Sequence, residues 1–434
     1  MPPAHTAHAT RTARRPTPGP AATAAIATAT AALIALQLGC PPIAEATAAP
    51  DVVAAGQLQN LINTVRAAPG TYTGLWINEK TNTIYVATPA TNITPASIAA
   101  LVAAPTTSTQ TLKIQIVKAT YTANQLDTIA TRVTTDTNLQ SAAKKSDATL
   151  STWYPDPITD QVVIGFTKIT NTELAAVHAE YGTTARVITQ PIAQSAIAKT
   201  PLTQATTATT TTPPATNPNP HPPHPQSRSA DSAPWYGGDD ITFTYNGSGF
   251  SCTSGYEFGS TSMSTAGHCG ADPTTFYNNG VYTGETYSMQ WGANRIDMQL
   301  MHGSTYLPYI WAGPGGNTAE PVSGSGGVAD GATYCTGGYV TGQNCSAVVE
   351  AVDVCIVEYD DVMNDDVTVC DLDEAHSSNN TDIVQSGDSG GPVYTSNSTG
   401  APYAVGTISA ANGTTGWWSD MYEEKAIFGQ SPAT

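Results

Sequence analysis

Residues 387–392 have the sequence Gly-Asp-Ser-Gly-Gly-Pro, the most informative stretch of this 434-residue chain. A serine hydroxyl is a weak nucleophile at neutral pH, so a reactive serine needs a neighbouring base and fixed donors for the oxyanion. Glycines on both sides of Ser389 let the backbone turn tightly enough to aim its N–H groups at one point. The alternative is an ordinary glycine-rich turn.

The order of possible catalytic residues along the chain separates two fold classes. The same stretch matches the G-x-S-x-G elbow of α/β-hydrolases, in which the catalytic histidine follows the serine. No histidine follows Ser389 in this sequence, so the α/β-hydrolase class is excluded. The base must therefore lie upstream, and from residue 235 onward the candidates are His268, His302 and His376.

His268 is the best candidate for the base. It lies in the sequence Thr-Ala-Gly-His-Cys at residues 265–269, where a disulfide at the cysteine would fix its position. We expect His302 and His376 to be structural. A carboxylate should orient the imidazole, and Asp297 fits because it begins an apolar run in which an unpaired acid is costly to bury.

The acidic and cysteine patterns predict no metal site. No Cys-x-x-Cys pair is present, which argues against zinc. The acidic pairs at residues 360–361 and 365–366 are typical of solvated loops, with calcium binding as the weaker alternative.

Six cysteines follow residue 48, and all of them lie in the C-terminal half. An even number in an exported chain favours three disulfides, for which fifteen pairings exist. Sequential pairing is the simplest of these and joins Cys252 to Cys269, Cys335 to Cys345, and Cys355 to Cys370.

Short apolar runs separated by Gly, Asn, Ser and Asp extend from residue 235 to about residue 430. This pattern predicts an all-β sandwich or barrel. The length, about 195 residues, is large for one small barrel and would suit two barrels packed together.

These residues together resemble the secreted bacterial serine proteases of the chymotrypsin fold, the streptogrisin and α-lytic protease group. The cysteine hairpin at 335–345 and the run Trp-Tyr-Gly-Gly-Asp at 235–239 support the resemblance. It implies a catalytic domain over residues 234–434, made of two six-stranded antiparallel β-barrels with the site between them. It also implies cofactor-free hydrolysis of protein or peptide substrates.

The resemblance implies roles for individual residues. Ser389 would attack the substrate carbonyl, His268 would accept its proton and Asp297 would hold the imidazole. The N–H groups of Gly387 and Ser389 would form the oxyanion hole.

The substrate-binding edge departs from the family pattern. Ser409-Ala410-Ala411 stands where the family usually has Ser-Gly-Gly, so the methyl group of Ala411 would narrow the specificity pocket. Ile383 stands where trypsin-like members carry an acid. We therefore expect cleavage after small or medium apolar residues.

The residues that would support the loop of Gly387 to Ser389 also differ from the family pattern. In the family, the acid at the position of Asp388 pairs with an arginine that follows the first cysteine of the hairpin. In this chain Thr336 stands at the position of that arginine. Only Arg295 and Lys425 are basic from residue 234 onward, and no disulfide brackets Ser389.

Residues 49–198 mix α and β signals and predict an α+β region with two similar units, around residues 76–86 and 153–164. The region resembles the pro-regions of the same group. It would therefore assist folding of its own protease and inhibit it until cut off. The alternative is a separate domain with its own binding role.

Residues 199–233 are rich in Thr and Pro and predict an extended linker. We expect the precursor to be cut between Ser227 and Trp235, at Ala230 or Ala233.

Residues 1–48 predict an export signal, since a basic segment precedes an Ala-rich stretch and the small-x-small site Ala46-Thr47-Ala48. A membrane anchor is the alternative, but the stretch is only weakly apolar. We expect a secreted, extracellular protein whose mature form is free of the membrane.

The formal net charge of −18 is unevenly spread. From residue 232 onward two basic residues face 23 acidic ones, a net charge of −21. Such a surface excludes a nucleic-acid binder, because phosphate recognition needs a basic face. The rival to a secreted serine endopeptidase made as a proenzyme is a catalytically silent, protease-like binding module.

Overall fold

The computed structural model describes residues 55–102, 113–201, 227–292, 295–312, 318–397 and 400–434. The predicted export signal and most of the predicted linker, residues 202–226, lie outside the described residues. The described chain has an N-terminal α+β part up to residue 201 and a C-terminal part that is all β except for one final helix. This is the fold class that the sequence predicts.

The N-terminal part has five helices and eight strands among its described residues. They are α1 (Ala55–Arg66), β1 (Gly74–Asn78), β2 (Thr83–Thr88), α2 (Pro95–Ala99), β3 (Lys113–Lys118), α3 (Ala123–Thr134), α4 (Thr137–Lys145), β4 (Leu150–Asp156), β5 (Gln161–Phe166), α5 (Asn171–Tyr181), β6 (Ala185–Thr189), β7 (Ala193–Ser195) and β8 (Ala198–Thr200).

Two units of the N-terminal part share one topology. In each, an antiparallel hairpin (β1–β2 or β4–β5) is followed by a helix and then by a strand parallel to the second hairpin strand. Threonine side chains in capping boxes start α2 and α5 and satisfy backbone N–H groups of the first turn. Local sequence therefore determines where each helix begins.

The C-terminal part consists of sixteen strands and one helix among its described residues. They are β9 (Trp235–Gly237), β10 (Asp240–Tyr245), β11 (Ser248–Thr253), β12 (Glu257–Phe258), β13 (Ser262–Thr265), β14 (Thr275–Asn278), β15 (Val281–Gln290), β16 (Met298–His302), β17 (Tyr306–Ala312), β18 (Thr318–Pro321), β19 (Thr333–Gly338), β20 (Gly342–Asp360), β21 (Asp365–Ser377), β22 (Pro392–Ser396), β23 (Pro402–Asn412), β24 (Thr415–Asp420) and α6 (Met421–Phe428).

Strands from both parts of the chain share the two large sheets. An eight-stranded sheet has the order β12-β13-β16-β15-β14-β10-β11-β8, so β8 forms its edge. A ten-stranded sheet has the order β19-β22-β23-β24-β21-β20-β4-β5-β6, and β7 pairs with both β20 and β23. Six strands of that sheet belong to the C-terminal part. The division into two six-stranded barrels stays a prediction.

Disulfides cross-link the C-terminal part at three places. The structure joins Cys252 to Cys269, Cys335 to Cys345, and Cys355 to Cys370, which is the sequential pairing. Among the described residues, no helix has both the length and the apolar character needed to cross a membrane.

A buried ion pair fastens the N-terminal part to the C-terminal part. Arg66, at the end of α1, donates to the carboxylates of Asp353 and Asp420, and Asp420 is fully buried at the start of α6. The Arg66 guanidinium also lies 5.1 Å from the centre of the Tyr422 ring. A buried carboxylate left without its cation is strongly destabilising, so this contact is central to the docking of the two parts.

We expect Arg66→Ala to lower the free energy of unfolding by about 3–5 kcal/mol, because it leaves Asp420 buried and unpaired. Urea unfolding of the full chain, compared in a Ser389→Ala background so that the chain stays in one piece, measures the change. The matched control is Arg132→Ala, since Arg132 makes an exposed ion pair with Glu180; that change should cost no more than about 1 kcal/mol. Equal losses in the two variants would contradict the role given to Arg66.

Candidate active site

The structure brings His268, Asp297 and Ser389 together, and all three are buried. His268 Nε2 lies 2.7 Å from Ser389 Oγ, and His268 Nδ1 lies 2.6 Å from Asp297 Oδ2. In the neutral imidazole, Nδ1 carries the proton because an ionised carboxylate only accepts, and Nε2 then accepts from the serine hydroxyl. This is the arrangement that turns a serine into a nucleophile.

Three separate loops supply these residues. His268 follows β13 and adjoins the Cys252–Cys269 disulfide, Asp297 directly precedes β16, and Ser389 lies in the turn before β22. The backbone N–H of His268 also donates to Asp297 Oδ1 over 2.9 Å. The imidazole is therefore held both by its ring and by its own backbone.

Two serine hydroxyls complete the surroundings of Asp297. Ser409 Oγ donates to Asp297 Oδ2 over 2.6 Å, and Ser419 Oγ donates to the backbone carbonyl of Asp297 over 3.0 Å. The sequence assigned Ser409 to the substrate-binding edge. Its hydroxyl lies behind the imidazole, whereas its backbone carbonyl faces the cleft, as described below.

A second carboxylate, Glu358 of β20, lies beside the same imidazole and was missed by the sequence analysis. Glu358 Oε1 is 3.8 Å from His268 Nδ1, and Ser409 Oγ is 3.2 Å from Glu358 Oε2. Glu358 is fully buried. The signal was present in the sequence, because Glu358 interrupts the apolar run Val-Cys-Ile-Val at residues 354–357.

The charges around His268 change the pKa values of the site. Burial alone lowers the pKa of His268, but the charge and hydrogen bond of Asp297, with a further contribution from Glu358, raise it to about 9. Burial raises the pKa of Glu358, and the nearby His268 opposes that rise. The two carboxylates thus favour the protonated imidazole.

Hydrogen bonds from the backbone hold the loop before Ser389. The carboxylate of Asp388 accepts from the N–H groups of Gln385, Val340 and Thr341 and from the Thr341 hydroxyl. Burial raises the pKa of Asp388, and these hydrogen bonds oppose the rise. They replace the arginine that the sequence analysis looked for at residue 336.

A cation does lie behind this loop, and it comes from the predicted linker. Arg228 is buried and donates to the carbonyls of Gly337, Gly338, Gly238 and Trp311 over 2.9–3.3 Å. The sequence analysis missed Arg228 because it lies upstream of residue 234. Its low-complexity surroundings give no signal of burial.

The cleft in front of Ser389 is occupied by the chain itself. The carbonyl of Ala196 accepts from the N–H of Gly387 over 2.6 Å and from the N–H of Ser389 over 3.0 Å. The N–H of Ala196 donates to the carbonyl of Ser409 over 3.1 Å. The two N–H groups expected to form the oxyanion hole therefore already converge on one peptide carbonyl.

Strands β7 and β8 continue this contact on both sides of Ala196. On one side, β7 pairs antiparallel with β23, with Ser195 opposite Ala410 and Gln194 opposite Ala411. On the other side, β8 pairs antiparallel with β11, with Lys199 opposite Phe250. Residues 193–200 thus cross the cleft as an extended segment, by strand addition to exposed edges.

The side chain of Ala196 lies in the apolar surroundings of the expected pocket. Ala196 and Ile383 belong to one buried apolar cluster, and Ala411 packs against that cluster. Ile383 is fully buried. Three of the four residues assigned to substrate binding, Ser409, Ala410 and Ala411, therefore lie opposite residues 194–196.

His268, Asp297 and Glu358 are also residue types that bind metals, and their ligand atoms lie close together. However, His268 Nδ1 and Asp297 Oδ2 are only 2.6 Å apart. A zinc ion bound to both at about 2.0 Å needs them about 3.3 Å apart. These three residues as arranged do not fit a zinc ion.

No protein-family model and no curated protein matches this chain. Among solved structures, the chain is similar to Thermobifida fusca Protease A, at 23% identity over 46% of this chain and 98% of that one, with a TM-score of 0.37. It is also similar to Cellulomonas bogoriensis chymotrypsin and to Nocardiopsis protease, each at 21% identity over 46% of this chain and 98% of theirs, with TM-scores of 0.36 and 0.37. These neighbours are bacterial serine proteases of the chymotrypsin fold.

Proposed function

We propose that the chain is a serine endopeptidase made as an inactive precursor. The observation that carries the proposal is the hydrogen-bonded series Asp297–His268–Ser389 with two N–H groups aimed at one carbonyl. In this mechanism Ser389 Oγ attacks the carbonyl carbon while His268 Nε2 takes the hydroxyl proton. The negative oxygen is stabilised by the N–H groups of Gly387 and Ser389.

The second half of the reaction uses the same residues. His268 gives its proton to the leaving nitrogen, which leaves an ester between Ser389 and the acyl group. Water, deprotonated by His268, then hydrolyses the ester and restores Ser389. Asp297 keeps the imidazole in one tautomer and stabilises its charged form throughout.

The N-terminal part acts as inhibitor and folding aid in this proposal. Residues 193–200 fill the cleft, so no second peptide can pair with β23 while they are there. Strands β4 to β8 also extend the sheets of the C-terminal part. The three disulfides and the predicted export signal support an extracellular protein.

We expect a fluorophosphonate probe to label the secreted product at Ser389, because the probe reacts with a serine activated by its base. Ser389→Ala should abolish labelling, as read by mass spectrometry of the labelled peptide. The control is Ser386→Ala, an exposed serine three residues away, which should retain labelling. A cut product that remains unlabelled would favour the silent binding module.

We expect a preference for small or medium apolar residues before the cut bond, since Ala196 and Ile383 belong to one buried apolar cluster and Ala411 packs against that cluster. Ala411→Gly should raise kcat/KM for Phe peptides relative to Ala peptides by about 10-fold, because it removes one methyl group. A peptide-library profile measures the change. Exposed Ala271→Gly is the control, and a wild-type preference for Lys, Arg or Glu would contradict the expectation.

We expect Glu358→Gln to shift the rising limb of kcat/KM to lower pH by about one unit. Catalysis needs neutral His268, and Glu358 is one of the charges that raise the pKa of His268. Removing that charge lowers the pKa, so activity appears at lower pH. Glu350→Gln, an exposed residue of the same strand, should leave the profile unchanged. A shift to higher pH would refute the electrostatic role.

A further inference from the structure

We propose that the precursor cuts itself between Ala196 and Ile197 and that the enzyme keeps residues 197–234 as an N-terminal arm. The sequence analysis placed the cut about 30 residues later, between Ser227 and Trp235. This inference rests on the proposed peptidase function. It states which peptide bond of the precursor lies at Ser389, and it is based on backbone contacts.

The carbonyl of Ala196 has the position of a reacting carbonyl. It accepts from both Gly387 and Ser389 N–H groups, and the Ser389 hydroxyl is already hydrogen-bonded to its base. The N–H of Ala196 is held by the carbonyl of Ser409. Ala196 is therefore held through both its N–H and its carbonyl, and such fixed positioning of the reacting group favours attack.

The chain beyond Ala196 is held as well. Ile197 is buried and belongs to the apolar cluster that contains Trp235 and Phe250. The next residues form β8, paired with β11, and Lys199 Nζ lies 3.0 Å from Asp361 Oδ1. The bond between residues 196 and 197 thus lies between two anchored strands, as a bound substrate's cut bond does.

The bonds and protons balance with one water consumed. Ser389 Oγ bonds to the Ala196 carbonyl carbon as its proton goes to His268, and the carbon–nitrogen bond to Ile197 breaks as His268 protonates that nitrogen. Water then adds to the ester carbon and gives a proton to His268. Release returns that proton to Ser389 and leaves a carboxylic acid at Ala196 and an amine at Ile197; the acid then gives its proton to the amine or to water.

Contacts of the segment around Arg228 explain why the arm stays with the enzyme. Arg228 donates four hydrogen bonds to carbonyls of the C-terminal part. Its own carbonyl accepts from Asn278 Nδ2 over 2.7 Å, and the N–H of Asp231 donates to Asn278 Oδ1 over 2.9 Å. A cut at Ala230 or Ala233 would detach these contacts from the chain that they anchor.

The test is N-terminal sequencing and intact-mass measurement of the product formed by the full chain. We expect the product to begin at Ile197, and we expect Ser389→Ala to remain uncut. The rate of cutting should stay constant on serial dilution, since the bond and the nucleophile belong to one molecule. A product that begins between residues 228 and 235, or cutting of Ser389→Ala at the wild-type rate, would overturn the proposal.

Two variants at the bond and one matched control sharpen the result. Ala196→Asp should slow cutting by roughly 100-fold, because it puts a carboxylate into an apolar pocket. Ala196→Val, which keeps the side chain apolar, should be cut within about 10-fold of the wild-type rate. The control Ala230→Asp makes the same change at an exposed residue and should be cut at the wild-type rate.

The two proposals fail in different ways. A product that takes up the fluorophosphonate probe but begins downstream of residue 227 refutes the cut and leaves the peptidase intact. A chain that neither cuts itself nor reacts with the probe after another protease has removed the N-terminal part refutes both. If the Ala230→Asp chain is cut slowly and the Ala196→Asp chain is cut at the wild-type rate, the bond that is cut lies between residues 227 and 235.

Discussion

The hydrogen bond between Asp297 and His268 is the interaction on which the site depends. A fully buried carboxylate is expensive unless several donors satisfy it. Asp297 receives three: the ring N–H of His268, the backbone N–H of His268 and the hydroxyl of Ser409. Because two of these come from one residue, the stability of the buried acid and the orientation of the imidazole are the same constraint. Neither can relax without the other.

Cations from outside residues 234–434 are the second constraint. The C-terminal part has a large excess of acidic residues, and many of them are buried. Two arginines that bind buried groups of this part lie before residue 234 in the chain. Arg228 supports the loop around the oxyanion donors, and Arg66 pairs with buried Asp420. They differ in position relative to the Ala196–Ile197 bond. In the proposed cut, Arg228 lies after the bond and stays with the enzyme, whereas Arg66 lies before it and leaves with the N-terminal part.

The sequence predicted what depends on side-chain chemistry and order, and missed what depends on long-range backbone contacts. The sequence singled out His268, Asp297 and Ser389, which the structure brings together, because each stands in a distinctive local context. Glu358 carried a usable signal as an acid in an apolar strand. Ala196 carried none, because its contacts run through its backbone carbonyl and N–H, which every residue has. Strand addition of this kind depends on register, and register is a property of the folded chain.

In the proposed precursor, inhibition and self-cutting by one segment are compatible because they depend on different free energies. Before the cut, the covalent link keeps residues 193–200 at the cleft at a high effective concentration. After the cut, the carboxylate of Ala196 no longer shares a chain with Ile197. The N-terminal part is then held by non-covalent contacts, among them the pairing of β7 with β20 and β23 and the ion pair of Arg66 with Asp420. The strength of those contacts, rather than the chemistry at Ser389, then sets how fast the cleft opens. A precursor built in this way separates the timing of the cut from the timing of activity.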